Sequence, residues 1–323
     1  MAKKAVRKME KVTIEKAAAL LKKEDGYLVL THKRPDGDTV GSAAALCRAL
    51  RKIGKEAYLF ENSEITEKYM PFAEGLFPQT EFSPRKIISV DTASLSQFPL
   101  GGEKYAENIY LAVDHHMSNT GYGENLCLYD RASCGETVYE LILALGAELD
   151  RDIADCLYTA VSTDTGCFVY ANTTANTLFV ASRLCLAGAD LPRLNKILFR
   201  TKTKARAALD GYIYSNMRFY NGGRVAVSSI SLSLRDEMGV TENDLDDVAS
   251  MSTVIEGVTV GFTLKEQADG VKVSVRTVGD VNANDICAPF GGGGHRQAAG
   301  CFIKGSLEEA EKKLVAEAGR VLA

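Results

Sequence analysis

Five consecutive apolar residues, Ile109 to Val113, end abruptly in Asp114-His115-His116. Such a run reads as a strand buried on both faces, with its polar residues at the carboxyl end. Two further runs have the same shape. Tyr27-Leu28-Val29-Leu30-Thr31 leads into His32-Lys33-Arg34-Pro35-Asp36-Gly37-Asp38, and Lys86-Ile87-Ile88-Ser89-Val90 leads into Asp91. In open parallel sheets, ligands bind just outside the carboxyl ends of the strands. Three strands would therefore bring acids and imidazoles to one edge of one sheet. Of only four histidines in the chain, three follow these runs, a placement that packing does not explain.

The chain has 323 residues, enough for two domains at about 100–200 residues each. A formal charge of −4 provides no general basic field for long nucleic acid, yet a small anion held by local charge remains compatible. The eight cysteines include no C-x-x-C pair, which fits reduced thiols packed as small hydrophobes rather than a zinc or disulfide framework. Cys134 and Cys167 lie beside the motifs, with inert packing as the simpler reading. Lys3, Lys4, Arg7, Lys8 and Lys11 make a basic N-terminus, read as a solvated tail, with no apolar stretch of a signal peptide behind it. No segment approaches the roughly 18 apolar residues of a membrane span. A cytoplasmic protein without a membrane partner is expected.

The expected fold is α/β: an N-terminal domain with a mostly parallel sheet flanked by helices, and a smaller C-terminal α/β domain with a mixed sheet. The boundaries are 1–190 for the first domain, 191–220 for a partly helical connecting segment, and 221–323 for the second. Helices are expected over 14–23, from Gly41-Ser42 to Ile53, after Ser133, from Arg151 to about Asp164, over 175–187, and from about Lys204 through Arg218. Ser133-Cys134-Gly135-Glu136 has the form of a capping box. Beyond Arg224 the apolar residues alternate, with Asp269-Gly270 as a hairpin turn and a final helix over 307–322. Residues 61–85, broken by Pro71, Pro78 and Pro84, give no periodic signal.

The chemistry-bearing residues of the first domain are His32, Asp36, Asp38, Asp91, His115 and Asp164. Four carboxylates converging without cations would repel and resist ionisation. Two divalent ions remove that repulsion. Carboxylates and imidazoles without thiolate suit manganese, with magnesium or cobalt as alternatives. Two such ions about 3.5–4 Å apart activate water and clamp a phosphoryl group.

His32-x-x-Pro-Asp36-x-Asp38, Asp91, Asp114-His115-His116 and Asp164, in that order, resemble the motifs of the DHH phosphoesterases. Gly292-Gly293-Gly294-His295-Arg296-Gln297-Ala298-Ala299-Gly300 is similar to the signature of the DHH-associated C-terminal domain. The length, and Val281-Asn282-Ala283 before Phe290-Gly291-Gly292, most resemble the stand-alone nanoRNase/pAp-phosphatase branch. The resemblance implies one metal held by His32, Asp36 and Asp91. It implies a second held by Asp38, Asp91, His115 and Asp164, with Asp91 bridging. His116 would face the scissile phosphate, and Asp114 would orient a histidine from behind. Gly292, Gly293 and Gly294 would let backbone amides approach a phosphate, with His295 and Arg276 adding charge-assisted contacts. A cleft between the domains would then measure out a short substrate. The implied activity is manganese-dependent hydrolysis of short oligoribonucleotides, of linear dinucleotides such as pApA or pGpG, and of pAp. A cyclic dinucleotide phosphodiesterase is the neighbouring reading, and a non-catalytic nucleotide-binding regulator the reading from another class. The partners implied are a small nucleotide or short RNA and no long duplex, with a homodimer left open.

Overall fold

The computed structural model describes residues 9–245 and 247–322. Lys3, Lys4, Arg7 and Lys8 of the basic N-terminus lie outside them. The chain divides into two compact units, one up to Thr201 and one from Lys202.

The first unit contains β1 (Glu10–Lys11), α1 (Ile14–Lys23), β2 (Tyr27–Leu30), α2 (Gly37–Lys52), β3 (Ala57–Leu59), α3 (Met70–Ala73) and β4 (Lys86–Val90). It continues with β5 (Ile109–Asp114), β6 (Asn125–Leu128), α4 (Cys134–Leu145), α5 (Arg151–Asp164), α6 (Ala175–Leu186) and α7 (Leu191–Phe199). Its six strands are all parallel, in the order β1-β6-β5-β4-β2-β3. The chain winds outward from β2 to β3, then returns to the other side of β2 to lay down β4. That reversal makes the β2/β4 border a topological switch point, where the loops leaving the strands part and leave a crevice. Successive residues of a strand point to opposite faces. Val29, Val90, Leu111 and Val113 accordingly join the core under α2, α4 and α5, while Leu28, Leu30, Ile109 and Leu126 pack with Phe98 and Tyr122 on the reverse.

Glycines decide where α5 lies. A Cβ on Gly41 would stand 2.3 Å from the Cys156 carbonyl oxygen, and one on Gly37 would stand 2.5 Å from the Thr163 side chain. Four residues apart, these glycines occupy one face of α2. From α4, a Cβ on Gly135 would meet the Ala160 Cβ at 2.6 Å. The backbone of α5 thus rests against two bare helix surfaces, and its last residue, Asp164, is carried to the strand ends.

Three details differ from the sequence reading. α2 begins at Gly37 rather than Gly41, because the Asp36 carboxylate accepts from the amides of Asp38 and Thr39 and starts the helix there. Glu136 does not complete a capping box. Ser133 Oγ accepts from the Glu136 amide, but the Glu136 carboxylate turns away to Asn176 and Thr177 of α6. The helix expected through Arg218 stops at Ser215, and Arg218 opens a strand. Residues 191–220 are shared between the units: α7 buries Leu194 and Leu198 in the first core, and the next helix buries Leu209 and Ile213 in the second unit.

The second unit contains α8 (Lys204–Ser215), β7 (Arg218–Tyr220), β8 (Val225–Ile230), α9 (Leu232–Met238), β9 (Val260–Gln267) and β10 (Gly270–Thr277). It ends with α10 (Ala283–Cys287), β11 (Gly293–His295), β12 (Ala298–Ile303) and α11 (Leu307–Leu322). Its mixed sheet runs β11-β12-β10-β9-β8-β7, with β8 and β9 parallel and the other neighbours antiparallel. The hairpin expected at Asp269-Gly270 joins β9 to β10. Val225, Val260, Phe262, Val273 and Val275 line one face, on which Ala310, Leu314 and Ala318 of α11 pack. Such valines and leucines each contribute roughly 1.5–3 kcal/mol of burial, so the face needs no metal or disulfide to hold it.

Candidate metal centre

The sheet edge gathers the acids and imidazoles. His32 follows β2, Asp91 follows β4, Asp114 ends β5 and His115 and His116 come directly after it. Asp36 and Asp38 occupy the cap and first turn of α2, and Asp164 closes α5. His32 Nε2 lies 3.6 Å from Asp36 Oδ1 and 3.7 Å from Asp91 Oδ2. His115 Nε2 lies 3.3 Å from Asp91 Oδ1, 3.6 Å from Asp164 Oδ2 and 3.7 Å from Asp38 Oδ2. Among the described residues, three groups offer ligand atoms within 4.8 Å of one another: His32 with Asp36 and Asp91, Asp38 with His115 and Asp164, and Asp91 with His115 and His116.

The imidazoles are aimed. His32 Nδ1 is 2.8 Å from the Lys33 carbonyl oxygen, and His115 Nδ1 is 3.0 Å from that of Arg131. A carbonyl only accepts, so each Nδ1 carries a proton and each Nε2 turns to the carboxylates, the arrangement that orients a metal-binding histidine. His116 differs, because its Nδ1 lies 2.8 Å from Asp114 Oδ1. Asp114 is wholly buried, accepts also from the His115 and His116 amides, and receives Asn119 Nδ2 at 2.6 Å. Burial would push its carboxyl up, but the His116 imidazole and the Asn119 amide hold it below the ordinary range.

Asp38 is gripped from a second helix. Its oxygens accept from the backbone amides of Cys134 at 2.7 Å and Gly135 at 3.0 Å, the first two residues of α4, and from Ser42 Oγ at 3.0 Å. A helix N-terminus favours an anion there. Burial nevertheless pushes the Asp38 carboxyl well up, with the charges of Asp91 and Asp164 adding to it. Burial also lifts Asp164, to about 7, outweighing the opposite pull of His115, with the charges of Asp36 and Asp91 adding to the rise. The imidazoliums move the other way. Burial opposes charge on His32 and His115, but the carboxylates around them hold the two at about 10 and about 11. Without metal, protons fill the place of cations in this cluster.

Those features fit divalent ions. Asp91 Oδ1 is buried and accepts no hydrogen bond, although two imidazole nitrogens face it at 3.3 and 3.5 Å. A buried carboxylate oxygen without a hydrogen bond is costly unless something else meets it. Asp91 is also held at φ 56°, in the left-handed region that few residues other than glycine, asparagine and aspartate adopt. The donors are oxygens and imidazoles, and the neighbouring Cys134 Sγ is occupied with the Val113 carbonyl.

Two family models match the chain, the DHH family N-terminal domain over residues 27–161 and the DHHA1 domain over residues 222–323. The bifunctional oligoribonuclease and PAP phosphatase NrnA of Thermus thermophilus is 34% identical over 305 residues, covering 92% of this chain and 91% of that protein. The chain belongs to the DHH family. The Bacillus subtilis protein described in the same words is 28% identical over 90% of this DHH chain and 93% of its own length. An exopolyphosphatase-related protein of Bacteroides fragilis, 24% identical, has the same fold, with a TM-score of 0.87 over 95% of both chains. The DHH stretch contains every acid and imidazole of the centre except Asp164, three residues past its end.

The DHHA1 stretch contains Arg276, Gly292, Gly293, Gly294 and His295. Arg276 of β10 pairs with Ala298 of β12, which pairs in turn with His295 of β11. Residues directly opposite one another project to the same face, so Arg276 and His295 share a face two strands apart. Lys33 turns to the Ser96 carbonyl instead of the centre.

The sequence reading missed the residues that brace the centre. Asn119 Nδ2 joins Asp114 to the Thr92 carbonyl, next to Asp91, while its Oδ1 accepts from Gly121. Asn62 Nδ2 donates to Thr31 Oγ1 and the His32 carbonyl. Asn172 Nδ2 ties the Asp164 carbonyl to that of Ala132. Asn119 precedes Thr120-Gly121, a turn signal that would have placed its side chain on its own backbone. Asn62 and Asn172 touch residues too distant in sequence for any local pattern.

Proposed function

We propose that this DHH protein is a metal-dependent phosphoesterase that hydrolyses short oligoribonucleotides, linear dinucleotides such as pApA and pGpG, and PAP. The observation that carries the reading is the unsatisfied Asp91 carboxylate between imidazoles from two strands, with Asp36, Asp38 and Asp164 around it. Two divalent ions, manganese by the donor set, would be held by His32, Asp36 and Asp91 and by Asp38, Asp91, His115 and Asp164. When bound, they supply Lewis-acid stabilisation of the phosphoryl oxygens and lower the pKa of water.

The chain's own groups do the positioning. Lys33 and Arg131 carbonyls fix the tautomers of His32 and His115. Asp114 holds a proton on His116 Nδ1, and burial, though it opposes the charge, is outweighed, so the His116 pKa is raised. A charged imidazole beside Asp91 would donate to the scissile phosphate or its leaving group. Arg276, Gly292, Gly293, Gly294 and His295 would take a terminal phosphate or base. Two curated relatives similar over most of their length are named for oligoribonuclease and PAP phosphatase activity.

The test is a side-by-side turnover measurement with manganese on PAP, pApA, a five-nucleotide RNA and cyclic di-AMP. Hydrolysis of pApA and PAP, lost on chelation and clearly faster than that of cyclic di-AMP, is the expected outcome. Faster opening of cyclic di-AMP would shift the reading to a cyclic dinucleotide phosphodiesterase. No turnover of any of the four would leave a nucleotide-binding regulator.

A further inference from the structure

We propose that Glu136 is a positioning residue for one half of the centre: it anchors residues 131–136, and through them sets how tightly Asp38, His115 and Asp164 would hold their ion. The inference rests on the two-ion reading above and adds to it a residue that acts only through others. All three of those side chains are held from this one short segment. The Arg131 carbonyl orients His115, and the Ala132 carbonyl shares Asn172 Nδ2 with the carbonyl of Asp164. The Cys134 and Gly135 amides grip Asp38 at 2.7 and 3.0 Å. His32 and Asp36 are held from elsewhere, His32 by the Lys33 carbonyl and Asn62, Asp36 by amides of its own helix.

What fixes the segment is a carboxylate. Glu136 is wholly buried, and its side chain crosses from α4 to α6. Its Oε2 accepts from Asn176 Nδ2 at 2.6 Å, and its Oε1 from Thr177 Oγ1 at 2.7 Å. Both donors are neutral, so no cation offsets the cost of taking this charge out of water. The first turn of α4 favours an anion, but Ser133 Oγ already caps that turn by accepting from the Glu136 amide. Starting the helix therefore does not require the carboxylate. Its bonds to α6 do fix where the first turn of α4 lies, and the amides that grip Asp38 belong to that turn. The chain enters α6 by the loop that leaves Asp164, so Glu136 and Asn172 tie the supports of Asp38 and Asp164 to each other.

The experiment titrates the full chain, stripped of metal, with manganese, following free manganese by electron paramagnetic resonance beside thermal melts in chelator. Wild type should take up two ions. Glu136→Ala should keep one ion at wild-type affinity and weaken the other about tenfold or more, because His32 and Asp36 retain their own supports. Asn176→Ala leaves Glu136 one hydrogen bond and removes a side chain that is only partly buried. It should weaken the same ion by a smaller factor, and it carries the test if the alanine at 136 does not fold. Glu136→Gln should return binding close to wild type, since a turned Asn176 amide lets glutamine make both bonds. A purely structural role would lower the melting temperature while leaving both ions bound as before, or would weaken the two alike. Either result, or a Glu136→Gln that binds as poorly as Glu136→Ala, would overturn the proposal. Fewer than two ions in wild type would overturn the two-ion reading itself, and the positioning role with it.

Discussion

Asp91→Asn is expected to lower manganese-dependent hydrolysis of pApA by about a thousandfold or more, while the chelated protein melts within a few degrees of wild type. The reason is local charge. One Asp91 oxygen faces His32 and the other faces His115 and His116, and the inward one has no hydrogen bond to lose. An amide in its place keeps the shape but removes the anion that two cations would share. In the metal-free protein the same change removes one of four crowded carboxylates, easing the repulsion on Asp38 and Asp164. Fold and activity should therefore separate. Initial rates with manganese, read beside thermal melts in chelator, check the pair. Undiminished turnover would rule out the shared-carboxylate mechanism.

The second large effect is in pH. In chelator, the melting temperature should fall from pH 6 to pH 9 by on the order of 5 °C, and manganese should reverse the trend. Asp164 holds its proton up to about 7 against an ordinary 3.8, so the stability gained from that proton is complete below about pH 4 and gone above about pH 7. His32 and His115, raised from 6.5 to about 10 and about 11, contribute fully below pH 6.5 and lose that contribution toward those values. All three slopes have the same sign, with that of Asp164 ending at about pH 7 and those of His32 and His115 continuing through the window. Asp36, lowered to about 2, works oppositely but only at acid pH below the ordinary 3.8. Cations compete for the sites the protons occupy, so metal binds more tightly as pH rises and stabilises by mass action. The gap between manganese and chelator curves should widen with pH. Parallel curves would contradict the account.

Much of this is legible in the sequence, for a physical reason. A strand buried on both faces must be apolar throughout, so the first acid or imidazole after Leu30, Val90 or Val113 marks both its end and the edge where ligands bind. The dual use of single residues was not legible. Asp36 caps α2 with the carboxylate that also faces His32, which is why the helix starts before the first apolar repeat. Glu136 reads as a cap but spans to α6, because Ser133 alone suffices for the helix start. The bare faces of Gly37, Gly41 and Gly135 appear in sequence as breaks in helical propensity. Their value lies in what α5 needs, and only the packed structure states it.

The most direct measurement is anomalous scattering at the manganese edge from a crystal grown with excess manganese. Two peaks are predicted at the β2/β4 switch point, about 3.5–4 Å apart, with Asp91 between them, His32 and Asp36 on one, and Asp38, His115 and Asp164 on the other. A single peak away from Asp91, or none at these side chains, would contradict it.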